Sequence, residues 1–231
     1  FFLSGVWFAL PLPALTISYE LSVRFCMTFA SPSTISSSIS SLRKSWDMQA
    51  RTAHMQGVRR YFEPSQNTPL MVIIVDELAY LSFYMADKKL RERADKAIRT
   101  ILTQGRAIGY SLVAAVQDPR IETCAYRNLF PVRIAGGLNE AKQVDMVLGE
   151  GSHDAGALCE QIPLGPAGAG AAYVLDTERM MKPRLIRAPK CSDEVIRARL
   201  QQVTTATPKD ERDDDMVRLV GPDITYPLPD R

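Results

Sequence analysis

Leu70-Met-Val-Ile-Ile-Val-Asp-Glu-Leu-Ala-Tyr-Leu81 decides how this chain folds. Its first six residues are apolar without a break, and the turn-forming Pro64-Ser-Gln-Asn-Thr-Pro69 stands before them. A short apolar run bounded by turn residues reads as a strand buried on both faces. Downstream, Leu90, Ala94, Ala97, Ile98, Ile101 and Leu102 recur on one helical face, which predicts a helix from about Ala86 to Gln104 with Gly105 as its stop. Tyr110-Ser-Leu-Val-Ala-Ala-Val116 is a second buried strand, and Val132-Arg-Ile-Ala135 a third. Asn139 caps a helix running to Leu148, with Gly149 just past its end. Ala171–Leu175 and Arg184–Arg187 read as a late hairpin, and Ser192 caps a last helix with Cys191 and Ile196 as its staple. Upstream, Trp46, Ala50, Ala53, Gly57, Val58, Tyr61 and Phe62 form one more helical stripe. Strands alternating with helices predict an α/β fold with a mainly parallel sheet, whose ligands sit beyond the carboxyl ends of the strands.

The 231 residues include 28 basic and 26 acidic side chains, which excludes a polycation and an acidic disordered chain. Cys26, Cys124, Cys159 and Cys191 are 98, 35 and 32 positions apart, so neither a disulfide framework nor a zinc knuckle is expected, and a reducing cytoplasm fits. The two histidines, His54 and His153, do not make a His-based metal centre. Composition divides the chain. Residues 1–45 carry four charges (Glu20, Arg24, Arg43, Lys44) and eleven Ser, while residues 46–231 carry the other 50 charges. The first part reads as a low-charge, Ser-rich, poorly ordered leader, residues 46–204 as the folded domain, and residues 205–231 as a polar tail. Pro11 and Pro13 interrupt the uncharged start, and no basic segment precedes it, so neither a membrane span nor a signal peptide is expected there. A chain opening on Phe1 reads as part of a longer reading frame.

The chemistry is expected at the strand ends. Five apolar residues delivering Asp76-Glu77 form the Walker B pattern of P-loop ATPases. Mg²⁺ keeps part of its water shell and takes help from a carboxylate, which Asp76 supplies from a rigid strand tip. Glu77 is then placed to polarise the water that attacks a γ-phosphate. The plain alternative is an acidic helix start, since acids favour helix N-termini. The second strand ends in Gln117-Asp118-Pro119, where the amide can sense a phosphate; Asp-Pro alone would only mark a turn. The 41 positions from Asp76 to Gln117 accommodate one helix and one return strand, so both tips can share a crevice. Arg106, between Gly105 and Gly109, is either a phosphate-facing guanidinium, serving its own subunit or a neighbour, or a helix-end cation.

Taken in order, Ile73-Ile-Val-Asp-Glu-Leu-Ala-Tyr-Leu81, Gln104-Gly-Arg-Ala-Ile-Gly109 and Ala114-Ala-Val-Gln-Asp-Pro119 resemble the FtsK/SpoIIIE family of DNA-pumping ATPases. Phe130-Pro-Val-Arg-Ile-Ala135, Val144-Asp-Met-Val-Leu-Gly-Glu-Gly151 and Gly156-Ala157 continue the likeness, which covers roughly Trp46 to Leu200. Asp-Glu-Leu-Ala-Tyr and Gln-Asp-Pro look most like the DNA-transfer proteins of mobile elements within that family. The resemblance implies a RecA-like P-loop NTPase core, incomplete at its N-terminus, from a motor that encircles double-stranded DNA as a homo-oligomeric ring with full-length protomers. By position it implies ATP and Mg²⁺ as cofactors, Asp76 at the metal, Glu77 at the water, Gln117 as γ-phosphate sensor and Arg106 facing a phosphate. It further implies a cytoplasmic protein, tethered to a membrane only through a missing upstream segment.

Two departures stand against a complete motor. No Gly-x-x-x-x-Gly-Lys-Ser/Thr occurs in the chain, and in the family that phosphate loop precedes the Walker B strand. After Leu158 the chain has Cys159-Glu-Gln-Ile-Pro163 where the family commonly has Gly-Asp-Met-Leu. The isolated chain is therefore expected not to hydrolyse ATP, with a non-catalytic pseudo-ATPase or truncated remnant that binds protomers or DNA as the alternative. Gly165-Pro-Ala-Gly-Ala-Gly170 leads into a strand rather than a helix and is read as a turn, not a nucleotide site. For DNA, the cations between Lys88 and Arg99 share their helix with Asp87, Glu92 and Asp95, which suits a salt-bridged face; Arg120, Arg127 and Arg133 are the alternatives. An unrelated α/β oxidoreductase would need a dinucleotide fingerprint, and none is present.

Overall fold

The computed structural model describes residues 6–9, 23–27, 32–55, 62, 68, 70–120, 125–163, 165–179 and 181–206. Seven strands form one sheet: β1 (Val6–Ala9), β2 (Val23–Met27), β3 (Leu70–Val75), β4 (Tyr110–Val116), β5 (Val132–Ala135), β6 (Ala171–Asp176) and β7 (Arg184–Arg187). Their order across the sheet is β2-β3-β4-β1-β5-β6-β7. β2, β3 and β4 pair in parallel, and β1, β5, β6 and β7 continue by antiparallel pairs. Five of these seven described strands consequently point the same way, with β1 and β6 reversed. The helices are α1 (Pro32–Met55), α2 (Lys88–Gln104), α3 (Ala141–Leu148) and α4 (Asp193–Ala206).

The centre of the fold follows the apolar pattern. Met71, Ile73 and Val75 of β3 and Leu112, Ala114 and Val116 of β4 are buried. α2 lays Leu90, Ala94, Ile98, Ile101 and Leu102 against them. Asp87 caps α2 through its carboxylate, which accepts from the Leu90 N–H at 3.0 Å. A short 3₁₀ turn, Gly105–Ile108, follows α2, and Gly109 turns the chain into β4 at φ 78°. That left-handed position favours glycine, and a Cβ there would also strike the Phe62 ring.

The boundary expected between residues 45 and 46 falls inside α1. The helix starts at Pro32 and includes the Ser-rich stretch, with Ile35 buried and Ile39, Leu42 and Trp46 packed on the core. Those four positions recur at helical spacing, and between them the Ser40 hydroxyl donates to the Ser36 carbonyl at 2.9 Å. The Trp46 ring lies 5.1 Å from that of Tyr110, tying α1 to the start of β4. β1 and β2 also come from the stretch read as a leader, and both take places in the sheet. At the other end of that first stripe, Gly57, Val58 and Tyr61 lie outside the described residues. α3 begins one residue later than expected, after Glu140; the Asn139 N–H donates to the Gln143 side chain instead of Asn139 capping the helix. The expected hairpin is present as β6 and β7. The glycine loop before it is tightly packed, since a Cβ on Gly168 would collide with the Pro163 carbonyl oxygen. Of the expected tail, residues beyond 206 lie outside the described residues.

Candidate functional site

β3 and β4 are neighbours and parallel, with Met71 opposite Tyr110 and Val75 opposite Ala114. Their carboxyl tips are therefore adjacent, and Asp76-Glu77 and Gln117 leave the sheet side by side. The Glu77 carboxylate joins the two tips. Its Oε1 accepts from the Ala79 N–H at 3.0 Å and its Oε2 from the Gln117 N–H at 3.2 Å. Partial burial pushes the Glu77 carboxyl above its ordinary value; the two N–H donors oppose that shift, and the charges of Asp76 and Asp118 add to it. Such a group holds a proton more readily than an exposed glutamate, as a base acting on water requires. The Asp76 side chain is exposed and has no partner among the described residues. Gln117 is exposed, so its amide is available beside the two acids.

Asp118 belongs to its own loop. It accepts from Arg120 Nε at 2.6 Å and from the Arg120 N–H at 3.1 Å, and this guanidinium holds its carboxyl below the usual range. The Asp-Pro-Arg spacing places that pair locally, and Ala79 is the further member of the site that the apolar pattern did not reveal.

Arg106 is not brought to these residues. It lies in the turn before β4, at the amino edge of the sheet, whereas Gln117 follows β4 at the carboxyl edge. Seven residues of strand separate the two edges by about 23 Å, using ~3.3 Å per residue. Its guanidinium pairs with Glu178 at 3.3 Å, just beyond the end of β6. Within one subunit Arg106 therefore cannot serve a phosphate held at the carboxyl tips.

Several of the other cations considered for DNA are engaged. Arg127 donates to the Met146 carbonyl at 2.7 Å, and Arg133 to those of Phe130 at 3.0 Å and Leu148 at 3.1 Å. On α2, Arg99 pairs with Asp95 at 2.9 Å and stacks 5.0 Å from the centre of the Tyr126 ring, whose hydroxyl donates to Asp95.

The donor set fits the metal half of a Mg²⁺–nucleotide site and not the phosphate half. An unpartnered strand-tip carboxylate suits a hydrated hard cation. No cluster of three or more His, Cys, Asp or Glu able to hold a metal ion by itself occurs among the described residues. On its other side β4 is paired with β1. That strand runs against β4, with Val6 opposite Val116 and Ala9 opposite Val113. Its carboxyl end consequently points away from the tips, and a strand–loop–helix phosphate cradle requires the reverse polarity.

Against solved structures, one likeness decides the fold class. A pCW3 conjugation coupling protein, TcpA, in its monomer form with ATPγS, superposes with a TM-score of 0.56 at 18% identity, over 73% of this chain and 49% of that one. The chain has the fold of a conjugation coupling protein. It is a mixed α/β fold, as expected, though only the β2–β3 and β3–β4 pairings are parallel, and the chain spans about half the length of that protein. At this identity the likeness speaks for the fold. No family model matches the chain, and no curated protein does.

Proposed function

We propose that this chain is part of an ATP-dependent motor that moves double-stranded DNA in transfer or segregation. Asp76 supports Mg²⁺, Glu77 orients the attacking water, Gln117 senses the γ-phosphate, and Arg106 serves a neighbouring protomer in a ring. The observation that carries this reading is the Glu77–Gln117 hydrogen bond, which fixes the acid pair and the amide at adjacent parallel strand tips. The fold shared with a conjugation coupling protein solved with ATPγS supports it. Among the described residues, no helix is long and apolar enough to cross a membrane. We place the chain in the cytoplasm, with any membrane attachment supplied by other parts of a longer protein.

The reversed β1 beside β4 favours a second reading, in which the chain binds protomers or DNA and does not turn over ATP by itself. Two measurements on the chain test the pair. Anisotropy of a labelled duplex, read at rising salt, reports DNA binding; a motor fragment binds without sequence preference and loses affinity as salt rises. Equilibrium dialysis of labelled ATPγS reports the nucleotide site. Mg²⁺-dependent binding at micromolar concentration, lost in Asp76→Ala, supports the motor reading. Nucleotide binding indifferent to Asp76, or its absence together with retained duplex binding, supports the non-catalytic one. Absence of both overturns the DNA-motor assignment.

A further inference from the structure

β7 is the last strand of the sheet, and its outer edge carries no further strand among the described residues. The Ala188 N–H donates to the Gly170 carbonyl at 2.8 Å, and Ile186 and Arg184 stand opposite Ala172 and Val174 of β6. Along an antiparallel strand the residues that bond one neighbour alternate, and each turns its N–H and C=O to the same side. Arg184, Ile186 and Ala188 therefore face β6, while Leu185 and Arg187 turn two N–H and two C=O groups outward. All four side chains of β7 are exposed, Leu185 by 62% and Ile186 by 41%. Unpaired backbone and uncovered apolar side chains coincide on this one edge, which is the pattern that an added strand completes.

Charge indicates the occupant. From Arg179 to Lys190 the chain holds Arg179, Lys182, Arg184, Arg187 and Lys190 and no acid. Of the acids flanking that stretch, Asp176 pairs with Arg179 at 3.8 Å, Glu178 with Arg106 at 3.3 Å, and Glu194 bonds the Ser192 side chain; Asp193 opens α4. Arg187 donates to the Ala167 carbonyl at 2.5 Å, which holds it without neutralising it. Arginines on an open edge guard it against a like strand, since two copies of β7 would gather four guanidinium groups in one short ladder. The same charges favour an acidic strand. A nucleic acid would meet the cations but leave the outward backbone groups, Leu185 and Ile186 unused. An extended acidic peptide engages all of them.

We infer that the outer edge of β7 binds an extended acidic segment of a partner protein, which joins the sheet as a further strand. Leu185 and Arg187 share one face of β7, and Arg184 and Ile186 the other. A complementary strand therefore carries two apolar residues between two acids, so that each arginine meets an acid and Leu185 and Ile186 meet the apolar pair. The surface is separate from the strand tips, and its use requires neither nucleotide nor DNA.

A fluorescein-labelled peptide, Thr-Thr-Asp-Val-Val-Asp-Thr-Thr, tests this on the whole chain. Anisotropy should show saturable binding that salt weakens. Arg184→Glu with Arg187→Glu should weaken it at least about tenfold, because like charges then face each other. A peptide with Lys in place of both Asp should bind that variant and not wild type. Hydrogen exchange should slow on peptide binding at the Leu185 and Arg187 amides and stay unchanged at those of Arg184 and Ile186, which β6 already holds. Leu185→Pro removes one outward donor and should abolish binding. If circular dichroism shows that this variant disturbs the sheet, the charge swap decides. Absence of binding overturns the inference. So does binding that is indifferent to the charge swap, or that leaves exchange at Leu185 and Arg187 unaltered. Loss of duplex binding in the double-Glu variant, with no peptide binding by wild type, would make the hairpin a nucleic-acid contact and overturn it. Protection of those two amides in the free chain would also overturn it: the edge is then covered by the chain itself, or by a second copy if protection grows with concentration.

Discussion

Oε2 of Glu77 accepts a hydrogen bond from the backbone N–H of Gln117 at 3.2 Å, across 40 residues of sequence. That contact ties the tip of β3 to the tip of β4, and it makes the acid pair unequal. Glu77 carries a structural contact, whereas Asp76 has none among the described residues.

The inequality can be measured. Glu77→Ala removes the acceptor for two backbone donors, Ala79 and Gln117, and should cost about 1–2 kcal/mol in urea unfolding. Asp76→Ala should stay within about 0.5 kcal/mol of wild type, as for an exposed side chain without partners. Equal costs would show that the tip contact contributes nothing.

Arg133 is buried with two backbone carbonyls, those of Phe130 and Leu148, as its acceptors. Burial and the nearby Arg127 charge hold its pKa below the ordinary value, yet its donors close the end of α3 onto β5. Arg133→Ala should destabilise by about 2–4 kcal/mol, because it strands those carbonyls and leaves a void. Arg133→Met keeps the apolar stem and should recover part of that loss. Thermal melts of the two variants check the order.

Gly168 is buried where no Cβ fits, since the Pro163 carbonyl oxygen occupies the space. Gly168→Ala should cost about 1–3 kcal/mol through displaced backbone. Gly151→Ala provides the comparison: its added Cβ meets nothing within 4 Å, so only the strain of its positive φ, of order 1 kcal/mol, remains. Chemical denaturation of both variants separates packing from strain.

His153 and Glu160 form a pair at 3.1 Å. The Glu160 hydrogen bond raises the His153 pKa above 6.5, so its contribution is full below the unfolded value and fades as pH rises through the folded one. Glu160 has its pKa lowered below 4.5, first by its own backbone N–H and then by His153, so its share is present above 4.5 and fades as pH falls through the folded value. The Tm gap between wild type and Glu160→Gln should be widest between those limits and should shrink as pH climbs past the His153 pKa. A gap that is flat with pH would show that the pair carries no charge-dependent stability.

The sheet centre was legible because burial on both faces leaves no choice of residue. Leu70–Val75 is apolar throughout and Tyr110–Val116 nearly so, broken only by Ser111, and the spacing of Leu90, Ala94, Ile98 and Ile101 left one reading for α2. The two tips could be placed together because a helix and a return strand fit between Asp76 and Gln117. α1 was less legible. Ile35, Ile39 and Leu42 carry its signal, but serines dominate the count there and conceal the spacing. The π-helical turn after the acid pair, Tyr80–Tyr84, has no pattern of its own, since one extra residue in a helical ring leaves the apolar positions almost unchanged. Arg133 looked like a surface cation because residue type says nothing of acceptors contributed by a loop and a helix end. Nor could sequence foretell that a strand from the low-charge stretch would run against β4, because a four-residue apolar segment specifies a strand and not its direction.

The polarity of β1 governs any attempt to build a phosphate site into this scaffold. An engineered phosphate loop grafted after Ala9 would emerge toward the end of the sheet remote from Glu77, however good its chemistry. Inversion of that single strand, by supplying a replacement that enters from the opposite side, is the operation on which such a reconstruction depends.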